Sequence, residues 1–165
     1  YKIENKAKTE LIKALALCSG HTGIAGGQYL DLSFEKKKKK FSDILDMQRK
    51  KTGKLFNFCC FAPGIIAKKK IKELKSLSKL GEDIGLLFQL ADDFIDFNGS
   101  KKLAGKSTKK DLKKGKSTLI SLLGYEKANS YALQLKKNIL SKLKKHGKKA
   151  KDLINTVEFI LNRHF

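Results

Sequence analysis

Residues 85–99 have the sequence GLLFQLADDFIDFNG, in which three aspartates lie within an otherwise apolar segment. The large apolar side chains on both sides of the aspartates have the spacing of a helix that is largely buried. A charge that is removed from water destabilises a protein unless an opposite charge meets it. We therefore expect Asp92, Asp93 and Asp96 to bind a cation or a positively charged group.

This segment ends a longer predicted helix, Ile71 to Phe97, whose leucines recur at helical spacing. The composition is rich in leucine and lysine and has a single proline, which favours helices. No strand pattern occurs, so we predict an all-α fold in one domain, residues 1–165. The other predicted helical segments are 7–34, 41–62 (ended or kinked by Pro63), 118–145 and 149–162.

Small residues cluster at two places in the predicted helices. The stretch SGHTGIAGG occupies residues 19–27, and Gly81 and Gly85 lie one turn apart before the aspartates. Glycine costs about 1 kcal/mol relative to alanine inside a helix. We therefore expect another backbone or a ligand to approach closely at both places.

The charge balance is strongly basic, with 37 lysine and arginine residues against 16 aspartate and glutamate residues and a net charge of +21. Such a charge is typical of nucleic-acid-binding proteins. However, only Arg49 and Arg163 are arginines, the residue preferred for bidentate contacts with bases and phosphates. Because the lysines occur in every segment, they are typical of solvated helix faces. We expect no nucleic-acid partner, and a basic helical protein that binds nucleic acid or anionic membrane is the alternative.

The cysteines are Cys18, Cys59 and Cys60, an odd number without the spacing of a metal site. Their apolar surroundings predict small, reduced core residues. No signal-peptide pattern begins the sequence, and its most apolar run is too short to span a bilayer. We expect a cytoplasmic protein with no membrane span.

The aspartates have the spacing of a magnesium site. On a helix, Asp92 and Asp96 lie one turn apart, about 5–6 Å between Cβ atoms, and Asp93 points further round the helix. Mg²⁺ usually takes one or two protein carboxylates and completes its shell with water and phosphate oxygens. Lys51, Lys106 and Lys116 each follow or precede a glycine or threonine, where a diphosphate could approach. A solvated helix face is the alternative interpretation of the aspartates.

Four motifs occur in the order that is typical of one enzyme family. They are GIAGGQYLDL (23–32), KTG (51–53), FQLADDFID (88–96) and GKSTKKDLKKGKST (105–118). At these residues the chain resembles the trans-isoprenyl diphosphate synthases, and the bacterial farnesyl and geranylgeranyl diphosphate synthases in particular. The resemblance implies an all-α bundle of the isoprenoid synthase type, Mg²⁺ as cofactor and a homodimer for the full-length enzyme. It implies a short-chain prenyltransferase that condenses an allylic diphosphate with isopentenyl diphosphate.

The resemblance also implies roles for individual residues. Asp92, Asp93 and Asp96 match the second aspartate-rich motif, a metal-binding motif of the family. The remaining matches are Lys51 and Lys106 (allylic diphosphate), Thr52 and Gln89 (developing carbocation), Phe88 (isopentenyl group), Gln28 and Asp31 (lining or supporting the site), and Asp111 and Lys116 (a later loop element).

The sequence departs from the family in two respects. Lys109 stands where the loop element has a glycine before Asp111. The family's first aspartate-rich motif, DDxxxD, and its paired arginines do not occur in the chain. We therefore expect the C-terminal half of a synthase, inactive alone, with a non-catalytic subunit or one part of a split synthase as alternatives.

Overall fold

The computed structural model describes residues 2–35, 37–103 and 117–163, with the backbone alone at 100–103. These residues contain helices and connecting turns and no strand, so the all-α prediction is confirmed. None of the described helices has both the length and the apolar character needed to cross a membrane. The helices are α1 (Asn5–Ser19), α2 (Ile24–Phe34), α3 (Phe41–Gln48), a π-helical turn (Arg49–Gly53), α4 (Lys54–Ile66), α5 (Ile71–Leu103), α6 (Leu119–Leu123), α7 (Tyr125–Lys144), a 3₁₀ turn (Gly147–Ala150) and α8 (Lys151–Ile160).

Two predicted helices are each divided by a glycine turn. The predicted helix at 7–34 is two helices, because the chain turns between Gly20 and Gly23. A Cβ at Gly23 would lie 1.8 Å from the carbonyl oxygen of Cys18, so this turn requires glycine. The predicted helix at 118–145 is divided at Gly124, whose φ of +80° is unfavourable for other residues.

Side chains before two helices define where those helices begin. Thr118 and Ser121 form a capping box, in which each hydroxyl accepts a hydrogen bond from the other residue's backbone N–H. Before α5, the backbone N–H of Lys70 donates to Glu73 at 3.1 Å. Pro63 does not end α4, which continues to Ile66 and closes with a hydrogen bond from Ala67 N to Pro63 O.

The first of two compact units comprises Tyr1–Leu32 and Asp46–Leu86. In this unit α1 packs against α4, and α4 packs against α5. A Cβ at Gly81 would lie 2.3 Å from the carbonyl oxygen of Phe56, so the expected close approach at this glycine is confirmed. The buried apolar residues of the unit include Cys18, Met47, Ile65, Leu80, Ile84 and Leu86.

The second unit comprises Ser33–Leu45 and Leu87–Phe165. In it, α7 packs against α6 and α8. The Phe41 ring meets the Tyr131 ring edge-on at 5.6 Å, and Ser117 donates to the carbonyl of Phe34 at 2.9 Å. The buried apolar residues of the unit include Phe34, Ile44, Leu87, Leu90, Leu119, Ile139 and Val157.

The cysteines differ in burial, and the core prediction is wrong for Cys59. All three thiols are free; Cys18 is buried, Cys60 is half-buried and Cys59 is exposed. Cys59 lies one helical turn from exposed Leu55 and Pro63, so all three occupy the solvent face of α4. Apolar flanks therefore did not reveal which side of the helix the thiol faces.

Candidate functional site

The π-helical turn at Arg49–Gly53 presents Lys51 to α2. The Nζ of Lys51 donates to a carboxylate oxygen of Asp31 at 2.5 Å, and both side chains are partly buried. A Cβ at Gly27 would lie 2.2 Å from the backbone nitrogen of Lys51. The GIAGG cluster therefore does admit another backbone, as predicted, and this backbone carries the predicted diphosphate-binding lysine.

The same turn is closely packed against α5. Gly53 is buried, and a Cβ at Gly85 would lie 2.8 Å from the Cα of Gly53. Isolated π-helical turns are rare and occur frequently at functional sites. Lys51 and Thr52 therefore lie on an irregular backbone that two glycine contacts hold in place.

A polar network follows this turn in the first unit, and we did not predict it from the sequence. Lys54 donates to Glu82 at 2.6 Å, Asn57 donates to the same carboxylate at 3.2 Å, and Ser78 contacts Asn57 at 3.4 Å. Asn57, Ser78 and Glu82 line an open groove of about 480 Å³ between α4 and α5. In this network Lys54 neutralises the carboxylate of Glu82, whose side chain is only 17% exposed.

The aspartate motif lies in the second unit, on the part of α5 that follows Leu87. Leu90 and Ala91 are buried beside it, whereas Asp92 and Asp93 are half-buried and Asp96 is exposed. The side-chain amide of Gln89 donates to Asp93 at 3.1 Å. The motif therefore lies at the edge of the unit's core.

The side chain of Arg163 contacts the aspartate motif. Its Nη2 donates to Asp92 Oδ1 at 2.8 Å and to the carbonyl of Phe88 at 3.4 Å, while its Nε donates to the carbonyl of Ile160 at 3.2 Å. The guanidinium also lies over the Phe88 ring, 4.2 Å from its centroid. We did not predict this residue; the available signal was its rarity, as one of two arginines among 37 basic residues.

The carboxylates of the motif suit a magnesium ion that takes most of its coordinating oxygens from water and phosphate. Asp92 and Asp96 offer hard carboxylate oxygens one turn apart, and their exposure leaves space for water and phosphate oxygens. Among the described residues, no three histidine, cysteine or acidic side chains converge closely enough to form a metal cage. One or two carboxylates with several outer ligands is the usual arrangement for Mg²⁺.

The other predicted site residues are placed as follows. Gln28 is exposed on α2, and Thr52 is half-buried in the π-helical turn. Lys106, Asp111 and Lys116 lie outside the described residues. Within the first unit the structure brings together Lys51 and Asp31, and within the second it brings together Gln89 and Asp93.

Comparison with known proteins agrees with these observations. Residues 2–157 match the polyprenyl synthetase family. The chain is 34% identical over 125 residues to the farnesyl diphosphate synthase of Micrococcus luteus, covering 76% of this chain and 43% of that protein. It is 32% identical over 167 residues to the farnesyl diphosphate synthase of Escherichia coli, covering 99% of this chain and 56% of that protein.

Solved structures give the same result. An FPP/GFPP synthase from Zymomonas mobilis superposes with a TM-score of 0.82 at 35% identity, over 95% of this chain and 52% of that one. A geranyltransferase from Helicobacter pylori, solved with magnesium and isoprenyl diphosphate, superposes with a TM-score of 0.76 at 32% identity, over 97% and 52% of the two chains. The chain thus spans about half the length of the relatives that it matches. It belongs to the polyprenyl synthetase family.

Proposed function

We propose that the chain supplies the second-aspartate half of a short-chain trans-prenyltransferase of the farnesyl or geranylgeranyl diphosphate synthase type. The complete enzyme would condense an allylic diphosphate with isopentenyl diphosphate. The observation that carries the proposal is the aspartate motif in a chain of this family. Its Asp92 and Asp93 are half-buried, and Phe88 and Gln89 precede them as in the family motif. In this proposal, residues 1–165 act as one partial domain.

The proposed metal ligands are Asp92, Asp93 and Asp96, with Asp92 as the main one. The hydrogen bond from Gln89 restricts the orientation of Asp93. Divalent metal use is general in the family, and Mg²⁺ is the ion that suits this donor set. When bound, it would neutralise charge on the diphosphate and so favour its departure.

Lys51 is the proposed ligand of the allylic diphosphate, with Asp31 as its positioning partner. The ion pair orients the lysine before substrate arrives. A diphosphate carries more negative charge than one carboxylate, so it would compete well for the ammonium group. Lys106 and Lys116 are proposed as further diphosphate contacts.

The remaining roles concern the hydrocarbon part of the reaction. Thr52 and Gln89 would direct oxygens towards the allylic cation and so lower the barrier to its formation. Phe88 would lie against the isopentenyl group, and Gln28 would line the site. The double bond of isopentenyl diphosphate would then attack the allylic cation to form the new carbon–carbon bond. The cation that results would lose a proton to the released diphosphate, which forms a new double bond.

The test is the thermal stability of the 165-residue chain with Mg²⁺ and inorganic diphosphate. A ligand of the folded state raises the melting temperature by mass action. We expect the wild type to gain stability and Asp92→Asn to gain much less. Asp152→Asn, which removes an exposed carboxylate on α8 in the same unit, is the matched control. Equal gains in wild type and Asp92→Asn would contradict the proposal.

A second candidate is a non-catalytic subunit that pairs with an active synthase or forms part of a split one. These 165 residues contain one aspartate-rich motif and no DDxxxD, and the chain spans about half the length of its relatives. A purely basic binding protein would instead bind nucleic acid or anionic vesicles with an affinity that falls steeply with salt. For the complete enzyme we propose a cytoplasmic homodimer, following the family resemblance.

A further inference from the structure

Arg163 neutralises the carboxylate to which the proposed function assigns the metal. Its side chain is only 11% exposed, whereas that of Asp92 is 41% exposed. The guanidinium is fixed by the Asp92 carboxylate, the carbonyls of Phe88 and Ile160, and the Phe88 ring. So many contacts distinguish this pair from a surface ion pair, in which two mobile side chains meet in water.

The guanidinium of Arg163 is a positively charged group with no acceptor atoms. A free Mg²⁺ ion that approached Asp92 would meet this second positive charge at close range, and the repulsion is strong in a partly buried site. Magnesium bound to diphosphate is different, because the complex carries a net negative charge. Arg163 therefore repels free Mg²⁺ but does not repel magnesium diphosphate.

We propose that Arg163 is an internal counter-ion that makes metal capture at Asp92 depend on diphosphate. In the ligand-free chain it occupies Asp92 Oδ1 and keeps the carboxylate paired. When magnesium diphosphate binds, the guanidinium either shares Asp92 or turns towards the phosphate oxygens that guanidinium groups bind well. This inference rests on the proposed metal role of Asp92.

The experiment is a calorimetric titration of the 165-residue chain with Mg²⁺ alone and with Mg²⁺ plus inorganic diphosphate. Arg163→Met removes the charge and retains an apolar stem for the Phe88 contact. Arg163→Gln removes the charge but keeps a hydrogen-bond donor, and it is the substitute if the methionine variant does not fold. Lys136→Met is the matched control, because Lys136 is a cation of the same unit that contacts α8 through the carbonyl of Glu158.

We expect either Arg163 variant to bind Mg²⁺ alone about five- to tenfold more tightly than wild type, which is the lower end of typical coupling between two binding sites. Its affinity for magnesium diphosphate should be unchanged or weaker. The Lys136→Met protein should match wild type with both ligands. The contrast between the two ligands separates this role from general loosening of the unit, which would weaken both.

Two results would overturn the inference. If neither Arg163 variant binds Mg²⁺ alone more tightly, Arg163 is not a counter-ion against free metal, although the proposed function stands provided that Asp92→Asn loses magnesium diphosphate binding. If Asp92→Asn keeps wild-type affinity for magnesium diphosphate, the metal role of Asp92 is wrong and the inference falls with it.

Discussion

Lys51 and Asp92 illustrate how single residues in this chain are held ready by partners of opposite charge. Lys51 pairs with Asp31 in the first unit, and Asp92 pairs with Arg163 in the second. In each pair, a partner of opposite charge stabilises a partly buried charge in the absence of a ligand. Because the partners lie 20 and 71 positions away in the sequence, local spacing did not predict either ion pair, although Asp31 was itself expected to line or support the site.

Replacement of Lys51 by alanine should weaken diphosphate binding moderately. The lysine acts as a point charge, and Lys50 next to it can replace part of its effect. The variant should also lose about 1 kcal/mol of stability or less, since the Asp31 pair is only partly buried. Urea unfolding and titration with inorganic diphosphate measure the two effects.

Lys50→Ala is the control for this substitution, because Lys50 pairs only one turn away with the exposed carboxylate of Asp46. We expect it to retain most of the diphosphate affinity that Lys51→Ala loses. Equal losses in the two variants would show that Lys51 has no special place in the site and contributes only to the general positive charge.

The three cysteines should react with thiol reagents at different rates. Cys59 is exposed, whereas burial raises the pKa of the Cys18 and Cys60 thiols. Only the thiolate reacts, so a raised pKa leaves less reactive species at a given pH. At pH 8 we expect iodoacetamide to modify Cys59 first, as measured by mass spectrometry of peptides. Slow labelling of Cys59, or rates at Cys18 and Cys60 that match it, would contradict this order.

At the scale of elements, the glycines decide where helices touch. In α2, a Cβ at Gly27 would lie 2.2 Å from the backbone of Lys51, which no side-chain rotation can relieve. We therefore expect Gly27→Ala to destabilise the chain by about 1–3 kcal/mol or more through overpacking, and to displace the π-helical turn. Weaker diphosphate binding should accompany the loss of stability.

Gly99→Ala is the matched control for Gly27→Ala. Gly99 lies in α5, and a Cβ there would meet no atom of the described residues within 4 Å. Alanine is the better helix former, so this variant should be more stable by about 0.5–1 kcal/mol. Denaturant titrations of both variants give the comparison, and effects of the same sign would argue against close packing at Gly27.

Helices could be predicted from the sequence because their apolar spacing is local information. The breaks at Gly23 and Gly124 could not, since a glycine inside a periodic pattern is compatible with both a continuous helix and a turn. The π-helical turn has no distinct periodicity, so Lys51 was identified through its neighbouring threonine and the KTG motif and not through helical spacing. Whether the Cys59 side chain is exposed depends on which face of α4 packs inward. Tertiary contacts decide this, and they are not visible in local spacing.

At the scale of the whole molecule, the chain carries one aspartate-rich motif and matches about half of each relative. It also exposes several large apolar side chains, including Ile12 and Ile71, which are 70% and 72% exposed. In the proposed mechanism, one carboxylate motif would bind only part of the metal that neutralises a departing diphosphate. If the proposed condensation occurs, we expect a segment outside these 165 residues to supply further metal-binding carboxylates.

We expect the purified 165-residue chain to show no multiple-turnover condensation of radiolabelled isopentenyl diphosphate with an allylic diphosphate. Addition of the N-terminal half of a related synthase, which supplies DDxxxD and the paired arginines, should produce activity that requires both chains. In that mixture Asp92→Ala should lose several kcal/mol of transition-state stabilisation, about the scale of one metal ion's contribution. Multiple turnovers by the chain alone would show that a single motif suffices. A mixture that binds magnesium diphosphate at Asp92 but never turns over would instead identify the chain as a non-catalytic subunit, because the ligand site would then be present without the chemistry.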